Sequence, residues 1–308
     1  IGFGAWTIGG AWAYGWGPTD DNESVRAIHR AFNLGINWID TAAVYGLGHS
    51  EEVVARAVKG IRNKVFIATK CGMVWDRKGN VRIHLSPESI RREAENSLKR
   101  LQMDYIDLYQ IHWPDPHTPV EDSWSTLVRL KEEGKVRFIG VSNFDVPLLE
   151  RCQKIAPVQS LQPPYSLLIR DIEKKILPYC LKNGIGVVAY SPLQSGLLTG
   201  KFDLNRLAPD DWRRRSPMFQ DPFLSKALAF VERLRPIAKR YNKTVGQLAI
   251  AWVLMNPGVT SGIVGARRAE QVEENVGAAG FKVEEADMEL IEKALRETVG
   301  NSANIPSP

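Results

Sequence analysis

The stretch "INWIDTAAVYG", residues 36–46, runs from apolar side chains into Asp40 and, five residues later, into Tyr45 followed by a glycine. A short apolar run that ends in a polar turn is typical of a buried strand. The pattern therefore predicts a strand over 36–40, with Asp40 at its end and Tyr45 in the loop that follows.

Runs of this kind alternate with amphipathic helical patterns along the whole chain. Helices are predicted over 21–35, 86–102, 121–135, 146–155, 171–184, 222–243, 268–279 and 284–299. The predicted strands are "IGFGAW" (1–6), "INWID" (36–40), "VFIATK" (65–70), "IDLYQIH" (106–112), "FIGVSN" (138–143), "SLQPPY" (160–165), "GVVAYS" (186–191) and "SGIVGA" (261–266). Such alternation indicates parallel strands joined by crossover helices. Eight units in 308 residues favour an α/β fold of the (β/α)8 TIM-barrel type over a doubly wound sheet.

Length and composition set the domain organisation. The chain has 308 residues, is 44% hydrophobic and shows no linker or shift of composition. We therefore expect one domain over residues 1–308, with an additional C-terminal helix and long rim loops over 71–84 and 201–221.

Charge and cysteine content exclude several classes of protein. The net charge of +5 comes from Lys and Arg scattered among acids, apart from "RRR" at 213–215, which is typical of a solvated loop face. We expect a small anionic molecule as partner, and no nucleic acid. The three cysteines form no CxxC pair and no metal-ligand spacing with the histidines, so no metal is predicted.

The same sequence carries no apolar run long enough to span a membrane, so no membrane partner is expected. Reduced thiols favour a cytoplasmic protein. The start at Ile1, without an initiator Met, predicts an upstream segment in the natural chain. The sequence leaves the oligomeric state open.

Polar residues at the predicted strand ends form the candidate catalytic group. Asp40, Lys70 and His112 each follow an apolar run, and Tyr45 lies in the loop after Asp40. Alone, each has an ordinary structural explanation as a turn former, a rim residue or a core histidine. Together, on one barrel face, they can protonate a carbonyl oxygen. A tyrosine needs a cation to act as an acid near neutral pH, so Lys70 would assist Tyr45 while Asp40 holds Lys70 and His112 orients the carbonyl.

At these residues the sequence resembles the aldo-keto reductases, which are barrel enzymes that transfer hydride from a nicotinamide cofactor. The matching motifs run in order over residues 1 to about 295, and the pattern fits a bacterial branch related to the inositol and general-stress type reductases. The motifs are "DTAAVYG", "IATKCG", "LYQIHWP", "KVRFIGVSNF", "AYSPLQSGLLTGK" and "IVGARRAEQVEEN". The resemblance implies that Tyr45 is the general acid, that Lys70 and Asp40 tune it, and that His112 orients the substrate.

The resemblance also implies a cofactor site. Ser142, Asn143 and Gln162 would bind the nicotinamide carboxamide, and Tyr190 would stack under its ring. The initial glycine-rich segment would bring Trp6 and Thr7 to the ribose or nicotinamide. The segment after the seventh strand would hold the pyrophosphate; its residues are Ser191, Pro192, Leu193, Ser195, Gly196 and Lys201. The long loop over 201–221 that follows is expected to fold over the bound cofactor.

The end of the eighth strand resembles an adenosine 2′-phosphate clamp, which favours NADPH. Arg267 would grip the phosphate, with Gly265, Gln271 and Asn275 beside it. Many relatives have Lys-Ser at 265–266 and an arginine at 271, so much of their charged clamp is absent here. NADH use therefore stays open, with Glu274 as the ribose or adenine partner in that case.

The predicted substrate is a small-molecule carbonyl compound, an aldehyde or activated ketone, in a pocket that includes Trp113 and Trp75, with Trp12 in or beside a rim loop. Two other functions stay open. A Schiff-base aldolase would also use a strand-end lysine, here Lys70. A cofactor-binding regulatory subunit, similar to the potassium-channel β subunits, would keep the same catalytic residues.

Overall fold

The computed structural model describes residues 1–300, so that residues 301–308, the end of the predicted domain, lie outside the described residues. Short strands and longer helices alternate along this range. The strands are β1 (Gly2–Gly4), β2 (Trp38–Asp40), β3 (Phe66–Cys71), β4 (Met73–Trp75), β5 (Val81–Ile83), β6 (Ile106–Ile111), β7 (Val136–Ser142), β8 (Ser160–Gln162), β9 (Gly186–Ala189) and β10 (Ser261–Gly265).

Within the described residues, the eight predicted strands close into one parallel barrel in the order β1, β10, β9, β8, β7, β6, β3, β2. Strand β1 pairs with β10 on one side and β2 on the other, so no sheet edge is left open. The predicted TIM barrel is confirmed. The predicted loop over 71–84 is partly wrong, because β4 and β5 form an antiparallel hairpin there.

Helices follow the strands around the outside of the barrel. They are α1 (Asp21–Asn33), α2 (His49–Val58), α3 (Pro87–Leu101), α4 (Val120–Glu132), α5 (Val146–Gln153), α6 (Ile176–Lys182), α7 (Phe223–Arg240), α8 (Val245–Met255), α9 (Ala269–Val276) and α10 (Glu285–Thr298), the additional C-terminal helix. Two of them were not predicted. Helix α8 is apolar on nearly every face and lacks an amphipathic period, and α2 begins directly from a turn without a side-chain cap.

Among residues 1–300, no helix combines the length and the apolar character needed to cross a membrane.

The pleat of β3 divides its side chains between the barrel interior and the helical layer. Lys70 points into the barrel, where it meets Asp40 of β2, whereas Thr69 bonds to α2 on the outside. The strand order makes β2 and β3 neighbours, and the register pairs Asp40 with Ala68. Polar residues that follow different strands are thus brought to the same end of the barrel.

A buried carboxyl group on α3 makes the stability of this fold depend on pH. Glu93 accepts hydrogen bonds from the Gly72 amide (2.9 Å) and the Ser89 hydroxyl (3.1 Å). Burial raises the pKa of Glu93 from 4.5 to about 7. The folded protein therefore holds a proton that the unfolded chain loses between these pH values, and stability from this group falls as pH rises from about 4.5 to about 7.

We predict that Glu93→Gln removes this dependence. We compare the free energy of unfolding of the variant with that of the wild type. At about 1.4 kcal/mol per pKa unit, this difference should shift in favour of the variant by up to about 3 kcal/mol when the pH is raised from 5 to 8. Urea unfolding of both proteins at these two pH values measures the difference. An equal free-energy difference at pH 5 and pH 8 would contradict the prediction.

Candidate active site

Two side chains and one backbone carbonyl accept hydrogen bonds from the Nζ atom of Lys70. This nitrogen donates to Asp40 Oδ1 at 2.6 Å, to the Thr41 carbonyl at 2.8 Å and to the Tyr45 hydroxyl at 3.2 Å. Gln162 donates to the other carboxylate oxygen of Asp40 at 2.8 Å. The predicted contacts of Asp40, Lys70 and Tyr45 are therefore present in the structure.

The ammonium group of Lys70 is buried but charged. Its side chain is 0% exposed and that of Asp40 is 4% exposed. Burial is the largest single effect and would lower the pKa of Lys70, but the Asp40 carboxylate and, to a lesser extent, Tyr45 together outweigh it and raise the pKa above 10.5. Asp40 therefore keeps Lys70 protonated throughout the physiological pH range.

The pKa of Tyr45 shows two opposing effects. Burial raises it above 10, and the charge of Lys70 lowers it by less than burial raises it. The sequence predicts only the effect of Lys70. In the structure that effect is present, but it offsets burial rather than bringing the pKa below its ordinary value.

His112 lies beside the Tyr45 ring at the end of β6. The two ring centroids are 5.7 Å apart with an interplanar angle of 79°. Burial and the nearby charge of Lys70 hold the pKa of His112 well below 6.5. The imidazole is therefore neutral at physiological pH, with one N–H donor and one acceptor nitrogen.

The Tyr45 turn is held by close contact between two glycines. Gly46 and Leu47 have φ values of 62° and 56°, in the left-handed region. A Cβ atom on Gly46 would lie 1.8 Å from the Gly9 carbonyl oxygen, so that the loop after β1 can pack directly on the backbone next to Tyr45.

The residues predicted to bind nicotinamide cluster at the ends of β7, β8 and β9. Asn143 donates to the His112 carbonyl (3.0 Å) and to Ser142 Oγ (3.1 Å), and its Oδ1 accepts from the Tyr190 hydroxyl (2.9 Å). Ser142 Oγ in turn donates to the Gln162 carbonyl (2.7 Å). These side chains hold one another and join the cluster to His112.

The loop after β9 has an unusual backbone. Ser191, Gln194, Ser195 and Gly196 have φ values of 57°, 47°, 50° and 96°. Right- and left-handed residues in succession direct backbone N–H groups into a concave surface that suits an anion. Pro192 and Leu193 lie within this loop, and a short helical turn spans Gln194–Thr199.

Lys201, at the end of this loop, reaches across to α9. Its Nζ lies 2.9 and 2.8 Å from the two carboxylate oxygens of Glu274. These two predicted cofactor residues therefore form an ion pair in the structure, which links the pyrophosphate-loop candidate to the adenosine-side candidate.

The residues predicted to bind the adenosine phosphate, at the end of β10 and after it, are also close together. The side chain of Gln271 accepts from the Arg267 amide at 2.8 Å, and Asn275 donates to the Gly265 carbonyl at 3.2 Å. A Cβ atom on Gly265 would lie 2.6 Å from Thr7 Cγ2, so Gly265 permits the turn after β1 to approach the end of β10 here. The Arg267 guanidinium donates to the Trp16 carbonyl at 3.1 Å.

Arg267 lies near two other arginines and near the Asp211 carboxylate, which pairs with Arg213. Burial, followed by the charges of Arg268 and Arg213, lowers its pKa. No carboxylate pairs with its guanidinium in the part of the chain that the structure describes. The donor set and the uncompensated charge therefore fit an anionic group.

The prediction that "RRR" (213–215) forms a solvated loop face is correct only for Arg215, which is exposed. Arg213 is 8% exposed, pairs with Asp211 at 2.6 Å, donates to the Ser195 carbonyl at 3.1 Å and lies 4.2 Å from the Trp16 ring centroid. Arg214 donates to backbone carbonyls of the same loop. Sequence reasoning missed this burial because the Ser195 carbonyl and the Trp16 ring lie far from Arg213 along the chain.

Trp6 joins the loop after β1 to the loop after β9. Its ring centroid lies 5.6 Å from that of Trp16 and 5.8 Å from that of Trp212. Sequence reasoning missed Trp16 and Trp212. The close spacing of Trp6, Trp12 and Trp16 in one glycine-rich loop was the available signal.

The predicted substrate residues lie at different places on the rim. Trp113, next to His112, is 39% exposed. Trp75 lies on β4, and the Arg100 guanidinium carbon lies 5.9 Å from the centroid of the Trp75 ring. Trp12 is the tryptophan that packs beside Tyr45, with ring centroids 6.3 Å apart.

Comparison with known proteins gives a consistent result. A model described as the aldo/keto reductase family matches residues 1–296. The chain is 39% identical over 304 residues to the NADH-specific methylglyoxal reductase of Escherichia coli (strain K12), covering 94% of this chain and 93% of that protein.

Two solved structures extend this comparison. The glycerol dehydrogenase AKR11B4 from Gluconobacter oxydans is 42% identical, with a TM-score of 0.89 over 97% of this chain and 92% of that chain. An aldo-keto reductase from Klebsiella pneumoniae in complex with NADPH is 28% identical, with a TM-score of 0.76 over 100% of this chain and 94% of that chain. Oxidoreductase activity and carbonyl reduction in general are supported by these relatives.

We predict that Gly46→Ala displaces the Tyr45 turn. The added Cβ would meet the Gly9 carbonyl oxygen, and a displacement of about 1 Å at a catalytic group costs about 100-fold in rate. Gly60→Ala is the matched control, since Gly60 also has a left-handed φ but no atom within 4 Å of the added Cβ. Initial rates of aldehyde reduction measure both, and an equal effect of the two variants would contradict the prediction.

Proposed function

This chain belongs to the aldo/keto reductase family, and on that premise we propose that it reversibly reduces aldehydes or activated ketones to alcohols with NADPH. Tyr45 would supply the proton to the carbonyl oxygen. We further propose that residues 1–308 act as one domain, with cofactor and substrate at the carboxyl ends of the barrel strands.

The contacts of Lys70 carry this proposal. An ammonium group has three N–H donors, and those of Lys70 are directed to Asp40, the Thr41 carbonyl and the Tyr45 oxygen. Because the phenol oxygen accepts from Lys70, the hydroxyl proton of Tyr45 is free to be donated to a substrate. The adjacent ammonium charge then stabilises the phenolate that remains.

His112 would orient the substrate. Its neutral imidazole, beside the Tyr45 ring, can donate one hydrogen bond to the carbonyl oxygen without competing as an acid. Two donors would then meet the same oxygen, one that transfers its proton and one that does not. This arrangement polarises the carbonyl bond in the transition state.

The cofactor proposal depends on the anion-binding features after β9 and β10. The turned backbone at Ser195 and Gly196 and the unpaired charge of Arg267 suit the phosphates of a dinucleotide. Ser142, Asn143, Gln162 and Tyr190 would hold the nicotinamide end. When bound, the nicotinamide supplies the hydride that these residues cannot provide.

We propose NADPH as the preferred cofactor because Arg267 is available to an additional phosphate. The solved relative from Klebsiella pneumoniae has NADPH bound, whereas the Escherichia coli relative is named as NADH-specific. Glu274 would serve an NADH ribose only after leaving Lys201, with which it is paired. NADH is therefore the alternative cofactor.

A Schiff-base lyase is disfavoured by the same lysine contacts. Imine formation requires a neutral amine, and the Asp40 carboxylate raises the pKa of Lys70. A regulatory subunit that binds cofactor without rapid turnover would share this site, so turnover itself distinguishes that function.

We predict that Tyr45→Phe lowers kcat for aldehyde reduction by about 10² to 10⁴ fold, because it removes the proton donor. Binding of NADPH, followed by tryptophan fluorescence, should change little, since no phosphate contact is altered. Full retention of kcat would rule out Tyr45 as the acid. Tight NADPH binding by a wild-type protein without aldehyde turnover would support the regulatory function instead.

We also predict that Arg267→Ala weakens NADPH binding more than NADH binding. Loss of a bidentate phosphate contact should raise the Kd for NADPH about tenfold or more, since it removes about 1.5–3 kcal/mol. The exposed neighbour Arg268 provides the control variant Arg268→Ala. Parallel fluorescence titrations give the ratios, and an equal loss of NADPH and NADH affinity would contradict the assignment.

A further inference from the structure

We propose that Glu51, in the first turn of α2, is a positioning residue that fixes the distance between Tyr45 and Lys70. This inference rests on the proposed reductase function, in which that distance sets the efficiency of proton transfer. Among the described residues, the carboxylate of Glu51 forms no hydrogen bond with Tyr45 or Lys70; its partners are Thr69 and Arg100. It acts through the residue next to Lys70 and through the helix that continues from the Tyr45 turn.

Glu51 joins three elements. Its Oε1 accepts from Thr69 Oγ1 at 2.6 Å, and its Oε2 accepts from Arg100 Nε at 2.6 Å. Thr69 immediately precedes Lys70 on β3, and Arg100 lies in the last turn of α3. The carboxylate therefore ties the start of α2 to the strand that carries the catalytic lysine.

The preceding residue, Ser50, ties the same turn of α2 to the Asp40 strand. Ser50 Oγ donates to the Ala5 carbonyl at 2.9 Å and shares a 2.9 Å hydrogen bond with Thr41 Oγ1. Thr41 follows Asp40 and offers its carbonyl oxygen to Lys70. Consecutive residues of α2 thus bond to the neighbours of both Asp40 and Lys70.

The Tyr45 turn needs this support because it is built from left-handed residues. Gly46, Leu47 and Gly48 have φ values of 62°, 56° and 108°, and Leu47 is disfavoured in that region. The turn leads directly into α2, so a shift of α2 would move Tyr45. Arg100 also packs on the turn, since a Cβ on Gly48 would lie 2.8 Å from Arg100 Cδ.

The surroundings explain why an acidic residue performs this task. Glu51 is fully buried, and a buried carboxylate requires a charged or hydrogen-bonding partner. Arg100 supplies the charge, and its side chain is 19% exposed. The other titratable groups facing this region are Glu93 of α3, Cys71 of β3 and Tyr109 of β6. Burial raises the pKa of Tyr109, and the charges of Cys71, Glu93 and Glu51 raise it further.

The test compares Glu51→Ala with a conservative rescue, Glu51→Gln. Glu51→Ala should lower kcat for aldehyde reduction about 10- to 100-fold, as expected for a small displacement of a catalytic group. Glu51→Gln, which retains a link to both Thr69 and Arg100, should recover most of the rate. The Kd for NADPH by fluorescence should change less than about twofold in both variants, because no anion-binding residue is altered.

Asp107→Ala is the matched control. Asp107 is a buried carboxylate, 3% exposed, that pairs with Arg62 (2.6 Å) and Arg137 (3.3 Å) at the opposite end of β6 from His112. The Asp107→Ala variant should be less stable than the wild type, but its kcat at 25 °C should not fall. Equal losses of kcat in Asp107→Ala and Glu51→Ala would assign Glu51 a general structural role and overturn the proposal.

A double-mutant cycle with Tyr45→Phe separates this inference from the proposed function. If Glu51 acts through Tyr45, then Glu51→Ala should cause no further loss of the residual rate in the Tyr45→Phe background. The same fold loss in both backgrounds would overturn the inference. A Tyr45→Phe protein with full kcat would instead overturn the proposed function.

Thr69→Val provides the test if Glu51→Ala does not fold. It removes only the hydroxyl that joins β3 to Glu51 and leaves the Glu51–Arg100 ion pair in place. We expect a loss of kcat in the same direction, with NADPH binding unchanged. Unchanged kcat in Thr69→Val would contradict the positioning role.

Discussion

The candidate active site depends on the ion pair between Lys70 and Asp40 inside the mouth of the barrel. An ammonium group with no exposed surface would lose its proton without a counter-charge, and Asp40 at 2.6 Å prevents this. The retained charge opposes the larger effect of burial on the pKa of Tyr45, and it adds to the effect of burial in keeping His112 neutral. One pairing of charges thus influences the pKa values of both neighbouring residues.

The barrel makes this pairing possible by bringing the ends of separate strands together. Adjacent parallel strands place Asp40 beside Lys70, and the glycine contact between Gly9 and Gly46 places the Tyr45 turn over them. The first turn of α2 then connects the Tyr45 turn to Thr69 on β3. The backbone is therefore as important to the site as the four polar side chains.

The strand pattern and the strand-end residues could be predicted from the sequence because both depend on local order along the chain. The hydrophobic period did not reveal α8, which is apolar on nearly all faces, or the hairpin within the loop after β3. The buried position of Arg213 and the links of Glu51 depend on residues distant in sequence. The net pKa shift of Tyr45 could not be predicted, because it depends on the extent of burial.

The most direct test of this account is a pH titration of the Lys70 side-chain nitrogen by NMR in protein labelled with ¹⁵N-lysine. The signal can be assigned by its absence from a Lys70→Met variant. The account predicts a midpoint above 10.5 and a lower midpoint in Asp40→Asn. A midpoint near or below neutral pH in the wild type would contradict it. A neutral amine could not assist Tyr45 as a cation, and it could act as a nucleophile.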